Sequence, residues 1–178
     1  MRYLDLTKLL EGDNLLLPCM LARNQRSFQT QALIDSGANG FALIDAVFLK
    51  SLNPIWRVII KKLKTPLPVK GYNGQRGQPI THYVHLNLTI DGRLQTYTPF
   101  LITRLGHPLI LGRKWLAEND VLVDCASRRL HWPEHLPPTR TYSNDHVYTR
   151  TDLTQKSPNR LHQADADRCD RQLDKFWK

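Results

Sequence analysis

Ala32-Leu33-Ile34-Asp35-Ser36-Gly37-Ala38-Asn39 is the stretch on which the fold turns. Three apolar residues of strand character deliver a single carboxylate, followed at once by a hydroxyl residue and a glycine. Burial of the flanking side chains fixes where the carboxylate sits, and Gly37 lets another backbone or a ligand approach closely. The Ser36 hydroxyl can donate and accept hydrogen bonds that hold the turn. Taken alone the triplet is weak, because Asp, Ser and Gly are common turn residues.

Working outward, a second segment shifts that balance. His107-Pro108-Leu109-Ile110-Leu111-Gly112-Arg113-Lys114-Trp115-Leu116 is an apolar strand ending in Gly-Arg at the start of a short helix. Asn119-Asp120-Val121-Leu122-Val123-Asp124 and Arg129-Leu130-His131-Trp132 follow as two strands joined by a turn at Ala126-Ser127-Arg128. The combination resembles the retropepsin-like aspartic proteases, in particular the protease segment of Gypsy-type long-terminal-repeat retrotransposon polyproteins. The similarity spans about Asn14 to Pro133. It rests on apolar-apolar-Asp-Ser-Gly-Ala, a glycine-containing hairpin in the middle, and apolar-Leu-Gly-Arg before a helix with Trp-Leu.

The resemblance implies an all-β fold with one or two short helices, a single-lobed acid-protease barrel. It implies Asp35 as catalytic, with Ser36 and Gly37 completing its triplet. It places Ala38 and Asn39 beside substrate, and Ile110, Leu111 and Gly112 on the strand that crosses near the catalytic loop. Arg113 falls where the family often pairs an arginine with an acid four residues after the catalytic aspartate. That position is Asn39 here, which reduces the ion pair to a hydrogen bond. The hairpin Val69 to Gly77 corresponds to the flap, with Gly71, Tyr72, Asn73 and Gly74 as its substrate-facing tip. The residues agree, since Asn73-Gly74 favours a tight reversal and three glycines allow hinge motion.

An aspartic protease activates water between two carboxylates that share one proton. This sequence offers one Asp-Ser-Gly, so the second carboxylate is expected from another copy, giving a homodimer with its site on the two-fold axis. The implied substrate is an extended polypeptide, a retroelement polyprotein. No metal and no cofactor are expected. His82 and His85, three apart in a strand, face opposite sides and read as surface residues, and no C-x-x-C spacing is present.

The remaining pattern is β-rich. Strands are expected over Leu15–Leu21, with Pro18 hinting at a sheet edge, and over Ser27–Ile34, joined by a turn at Asn24-Gln25-Arg26. Asp45 reads as the cap of a helix Ala46–Leu52 that stops at Asn53-Pro54. Trp56–Leu63 fits strand or helix. Further strands are expected over Leu67–Tyr72, Ile80–Ile90, Gln95–Thr103 and Leu109–Leu111, with Asp91-Gly92 as a hairpin turn, and a helix over Arg113–Asn119. Trp115 and Trp132 read as core.

The 178 residues are 41% hydrophobic and 23% charged, an ordinary folded composition. No uncharged apolar run approaches the roughly 20 residues of a membrane helix. Arg2, Asp5, Lys8, Glu11 and Asp13 interrupt any secretory signal. Three scattered cysteines, Cys19, Cys125 and Cys169, read as free thiols, and with no signal segment the expectation is an intracellular, cytoplasmic protein without a membrane partner. The net charge is +9, with 17 basic and 9 acidic side chains in residues 1–132 and 8 and 7 in the rest. Such a body can attract nucleic acid, although a solvated basic face explains it too. Residues 1–13 read as a leader, 14–132 as the protease domain, and Pro133 to Lys178, with its four prolines, as a polar linker or weakly ordered tail. Two rival functions stay open: a retropepsin-like binding or dimerisation module without catalysis, and a basic nucleic-acid-binding protein.

Overall fold

The computed structural model describes residues 5–9, 12–71 and 73–142. After a single 3-10 turn at Leu6–Lys8, capped by Asp5, the chain forms ten strands and two helices. They are β1 (Leu16–Arg23), β2 (Arg26–Asp35), β3 (Ala42–Asp45), α1 (Ala46–Trp56), β4 (Ile60–Leu67), β5 (Ile80–Ile90), β6 (Arg93–Thr103), β7 (Leu109–Gly112), α2 (Arg113–Glu118), β8 (Leu122–Asp124), β9 (Arg129–His131) and β10 (Thr139–Thr141).

The sheet order is β10-β6-β3-β7-β2-β1-β5-β4. A further β5–β6 pairing closes six of these strands into a barrel, with β10 and β4 appended outside the ring. Closure removes the open edges that a flat sheet would present. Strand alternation fills the interior. Leu21, Ala32, Ile44, Val84, Leu88, Phe100, Leu109 and Leu111 are all inaccessible to solvent. Both hairpin turns use left-handed backbone at two successive residues, Asn24-Gln25 and Asp91-Gly92, as the right-handed twist of paired strands favours. Pro18 sits inside β1 and not at a sheet edge. It pairs with Gln31 of β2, while pairing with β5 begins only at Cys19, so the missing N–H costs no ladder bond on the second side.

Four elements depart from the sequence-based expectation. Helix α1 runs through Pro54 to Trp56. Leu52 and Trp56 are buried, and the last turn is closed by the Arg57 N–H donating to the Asn53 carbonyl (2.9 Å) and the Val58 N–H to Asn53 Oδ1 (3.0 Å). Arg57 adopts the left-handed conformation that terminates it. The open choice at Trp56–Leu63 thus resolves into a helix end followed by β4, and the strand expected over Leu67–Tyr72 ends at Leu67. Strand β3 has no counterpart in the sequence reading. Its four residues lie antiparallel to β7 and parallel to β6, too short a run for periodicity to identify.

The order does not stop at Trp132. Strand β10 pairs parallel to Leu94–Thr96 of β6, and Tyr142 is 1% exposed. The Tyr142 hydroxyl donates to Asn119 Oδ1 (3.1 Å) within a buried network. There Trp115 Nε1 donates to Gln95 Oε1 (2.7 Å), Gln95 Nε2 to Asn119 Oδ1 (3.0 Å), and Asn119 Nδ2 to the Trp115 carbonyl (2.8 Å). Every polar group of this set has a partner, which is what a buried network needs to stabilise rather than cost. Residues 133–142 therefore belong to the folded body, and the tail boundary at Pro133 is corrected. Residues 143–178 lie outside the described residues.

His85 is also not a surface residue; it is 5% exposed. Strand β5 pairs with β4 as far as Val84 and with β1 from Asn87 onward. In the gap between those partners the Arg23 guanidinium donates to the His85 carbonyl (3.3 Å). Across the β5–β6 bulge, Tyr97 takes a positive φ of 59° and stacks its ring on His85 at 3.9 Å. Burial, then the Lys61 and Arg23 charges, push the imidazole down to about 4. Burial likewise pushes the Cys19 thiol up to about 12. Cys19 and Cys125 are free.

Among the described residues no helix is long and apolar enough to cross a membrane, and no group of His, Cys, Asp and Glu is arranged to hold a metal.

Candidate active site

Asp35 is the last residue of β2. Parallel pairing with β7 sets it opposite Gly112, one step beyond the Ile34–Leu111 pair. The strands bury Ile34 and Leu111 inward, and the chain leaves the barrel wall at the half-exposed carboxylate. Asp35 Oδ1 accepts from the Gly37 N–H (2.8 Å) and the Ala38 N–H (3.2 Å). Among the described residues no other side chain bonds this carboxylate. The Ser36 hydroxyl, expected to brace the turn, makes no bond among the described residues; the aspartate braces it instead. A single ionised carboxylate oxygen accepts both N–H groups at once.

The rest of the loop hangs on the β7–α2 junction. The Gly112 N–H donates to the Phe41 carbonyl (2.8 Å), Arg113 N–H to Ala38 (2.8 Å) and Lys114 N–H to Gly40 (3.3 Å). Three successive donors at the head of α2 thus hold three carbonyls of the Asp35 loop. A Cβ on Gly112 would collide with the Gly40 carbonyl oxygen and lie 2.8 Å from that of Ala38. A Cβ on Gly37 would sit 3.1 Å from Asp35 Oδ1. Glycine at 112 is a requirement of backbone crossing backbone, not of a turn. On the far side, the Phe41 ring packs edge-on against Tyr142 at 5.2 Å, so β10 supports the loop from behind.

Two of the implied site residues have other tasks. Leu111 is fully buried in the barrel core, because alternation along β7 turns Leu109 and Leu111 inward and leaves Ile110 half-exposed on the other face. In this chain it packs in the barrel core behind the Asp35–Gly112 pair. Arg113 and Asn39 are both exposed, and no side-chain bond joins them among the described residues. The arginine contributes its backbone N–H alone.

The glycine-rich hairpin lies between β4 and β5, and its described backbone bonds run within it. Gly71 N–H donates to the Gln75 carbonyl (2.9 Å), Gly74 N–H to Gly71 (2.9 Å) and Gly77 N–H to Val69 (3.0 Å), with a bridge between Lys70 and Arg76. Asn73 Oδ1 accepts from the Gln75 N–H (3.0 Å), and Gly74 takes φ +76°. Gly71, Asn73 and Gly74 are exposed; Tyr72 lies outside the described residues. The sequence reading missed Tyr142, Gln95 and Asn119 as supports of this region. Thr139-Arg140-Thr141 is polar throughout and three residues long, so no local signal pointed to the first.

The family model of the PEG10/RTL1 protease domain matches residues 31–136. The chain belongs to this family. That span takes in the Asp35 loop, the glycine-rich hairpin, the β7 crossing and α2. A search of the curated proteins finds no match. Among solved structures, the chain is similar to the retroviral protease-like domain of Ddi1 from Leishmania major, at 21% identity and a TM-score of 0.44, covering 68% of this chain and 90% of that one. It is also similar to Lpg0085 of Legionella pneumophila, a protein of unknown function, at 19% identity and a TM-score of 0.37, covering 64% of this chain and 91% of that one. The architecture is that of a retropepsin-like, retrotransposon-derived protease domain.

Proposed function

We propose that the chain is an aspartic endopeptidase of the retropepsin type, active as a homodimer on an extended polypeptide. The observation that carries this reading is the Asp35 carboxylate at the exposed end of β2. One of its oxygens is anchored by the Gly37 and Ala38 N–H groups, over a glycine crossing that admits no side chain. Anchoring through Oδ1 fixes the plane of the carboxylate before substrate arrives, so no reorganisation is required at the moment of reaction.

One carboxylate cannot serve as both acid and base in a single step. Two Asp35 side chains meeting across a two-fold axis share one proton between them. The protonated partner donates to the scissile carbonyl oxygen, and the ionised partner accepts a proton from the water that attacks the carbon. Substrate lies extended between this pair and the two Gly71–Gly77 hairpins, which close over it and exclude bulk water. Ala38, Asn39, Ile110 and the hairpin tip contact its backbone and side chains.

The test is digestion of a peptide library at mildly acid pH by the wild type beside Asp35→Asn. Cleavage is expected from the wild type only, with specific activity falling on dilution as dimers dissociate. Equal cleavage by both proteins, or undiminished specific activity in a preparation shown to be monomeric by sedimentation, overturns the reading. A wild type that dimerises and cleaves nothing favours the binding-module alternative.

A further inference from the structure

At the end of the barrel away from Asp35, helix α1 and the tip of the β1–β2 hairpin border an open cavity of about 490 Å³, lined by Asn24, Arg26, Pro54, Ile55, Trp56 and Arg57. Arg26 begins β2 and Asp35 ends it, so the two lie roughly 30 Å apart at about 3.3 Å per residue. The cavity is no part of the catalytic site.

Two observations single it out. The first is charge without compensation. Arg26 pairs directly with Arg23 across the hairpin, a like-charge juxtaposition that costs stability. Arg57 also lines the cavity, at the left-handed backbone position that ends α1. Neither Arg26 nor Arg57 makes an ion pair among the described residues, and no carboxylate lines the cavity. The second is an exposed apolar line leading from it. Val47 and Ile55 lie two helical turns apart on α1 and are 52% and 58% exposed; Phe28, 44% exposed, packs edge-on against Phe48 beside them. Isolated exposed apolar residues are ordinary; here Val47, Ile55 and Phe28 accompany arginines that form no ion pair among the described residues.

We infer that this groove docks a partner polypeptide through a segment combining acidic and apolar side chains. Carboxylates of the partner would take bidentate bonds from Arg26 and Arg57. Its apolar residues would cover Ile55, Val47 and Phe28, in the manner of an amphipathic segment laid into a groove. Charge complementarity supports the acidic half of the motif. Nucleic acid is the poorer fit: phosphates would satisfy the arginines, but a base could stack only on Phe28, whose ring already packs edge-on against Phe48, and Val47 and Ile55 would stay uncovered, while Trp56 is buried.

The experiment uses the full chain carrying Asp35→Asn, so that a peptide probe is not consumed, and its outcome is independent of peptidase activity. Fluorescence anisotropy would follow three probes: a peptide of glutamate, leucine and phenylalanine, a peptide with glutamate replaced by serine, and oligouridylate RNA. The acidic peptide should bind best, with affinity falling as salt rises. It should weaken by roughly tenfold or more in Arg26→Glu/Arg57→Glu, and also in Ile55→Ser, while thermal melts of both variants match the parent. A lysine-for-glutamate peptide should recover binding to the charge-reversed variant. Binding that survives both substitutions, no preference for the acidic peptide over the serine peptide, or RNA binding tighter than the peptide and indifferent to Ile55→Ser would each overturn the inference.

Discussion

The loop at Asp35 is held by bonds to other elements, whereas the described backbone bonds of the hairpin at Gly71–Gly77 run within the segment Val69–Gly77. Both are rich in glycine, yet the glycines act differently. Gly112 faces the Gly40 and Ala38 carbonyls at a distance no Cβ tolerates, while Gly74 has open space around it and a φ of +76°. The first glycine serves close packing and the second serves backbone handedness. If the two segments act as the carboxylate loop and the flap of the proposed peptidase, the first needs close packing and the second needs a backbone that can open without disturbing the barrel. Substitutions at four positions probe this division, in order of decreasing effect.

Gly112→Val should be the most damaging. The added side chain meets backbone on two sides, and moving either carbonyl breaks the bonds that hang the Asp35 loop on α2. A loss of about 4 kcal/mol or more is expected, at the upper end of overpacking effects. Urea unfolding checks it. A variant as stable as the wild type would mean that the loop yields easily, and that the contrast with the hairpin is false.

Tyr142→Ala tests whether the rigid half extends to the strand after the prolines. It removes a buried ring packed on Phe41 and a hydroxyl bonded to Asn119. The expected cost is about 3 kcal/mol, in line with other buried aromatic truncations. Tyr142→Phe, which keeps the ring, should cost about 1 kcal/mol. Near-neutral values for both would return residues 133–142 to the status of a tail.

The division also explains what the sequence disclosed. Asp35-Ser36-Gly37 and Leu111-Gly112 were readable because each is a local signal, and their order identified the barrel. The long strands β5 and β6 and both hairpin turns were legible from alternation and from Asn24-Gln25 and Asp91-Gly92. What stayed hidden depends on distant partners. Strand β3 is four residues placed by β6 and β7. Strand β10 follows two prolines and exists because Leu94–Thr96 offers it an edge. Helix α1 outruns Pro54 because Trp56 has a core to enter. His85 reads as polar surface until the Tyr97 bulge folds over it. In the site itself, nothing local says that Leu111 points inward, or that Asp35 replaces Ser36 as the brace of its own turn.

At the end of the β4–β5 ladder away from the hairpin, His85 follows Val84, the last residue of β5 that pairs with β4. Its imidazole titrates near 4 in the folded chain, against an ordinary 6.5. Below about 6.5 the unfolded chain takes up a proton that the native chain refuses. The unfolded state then binds more protons, and stability falls as pH drops from about 6.5 toward 4. The full loss is no more than about 3 kcal/mol, the worth of that shift, and below about 4 this contribution levels off. His85→Phe keeps an aromatic ring against Tyr97 and removes the proton site. Urea midpoints at neutral and mildly acid pH should converge for this variant relative to the wild type; an unchanged pH dependence would place the acid sensitivity elsewhere.

Gly74→Ala should have the smallest effect, and it sharpens the comparison most directly. A Cβ at φ +76° costs about 1 kcal/mol through its clash with its own backbone, with no neighbour to add to it. The strain falls on a segment whose described backbone bonds run between Val69 and Gly77. If that hairpin opens independently of the barrel, it relieves the strain by local opening, and global unfolding registers less than the local cost. Hydrogen exchange should then show faster exchange at the Gly71, Gly74 and Gly77 amides, with the Gly112 and Arg113 amides unchanged. Exchange accelerated equally at both sets would mean that the hairpin and the Asp35 loop open together, as one cooperative unit, and that the two glycine-rich segments are equally firmly built.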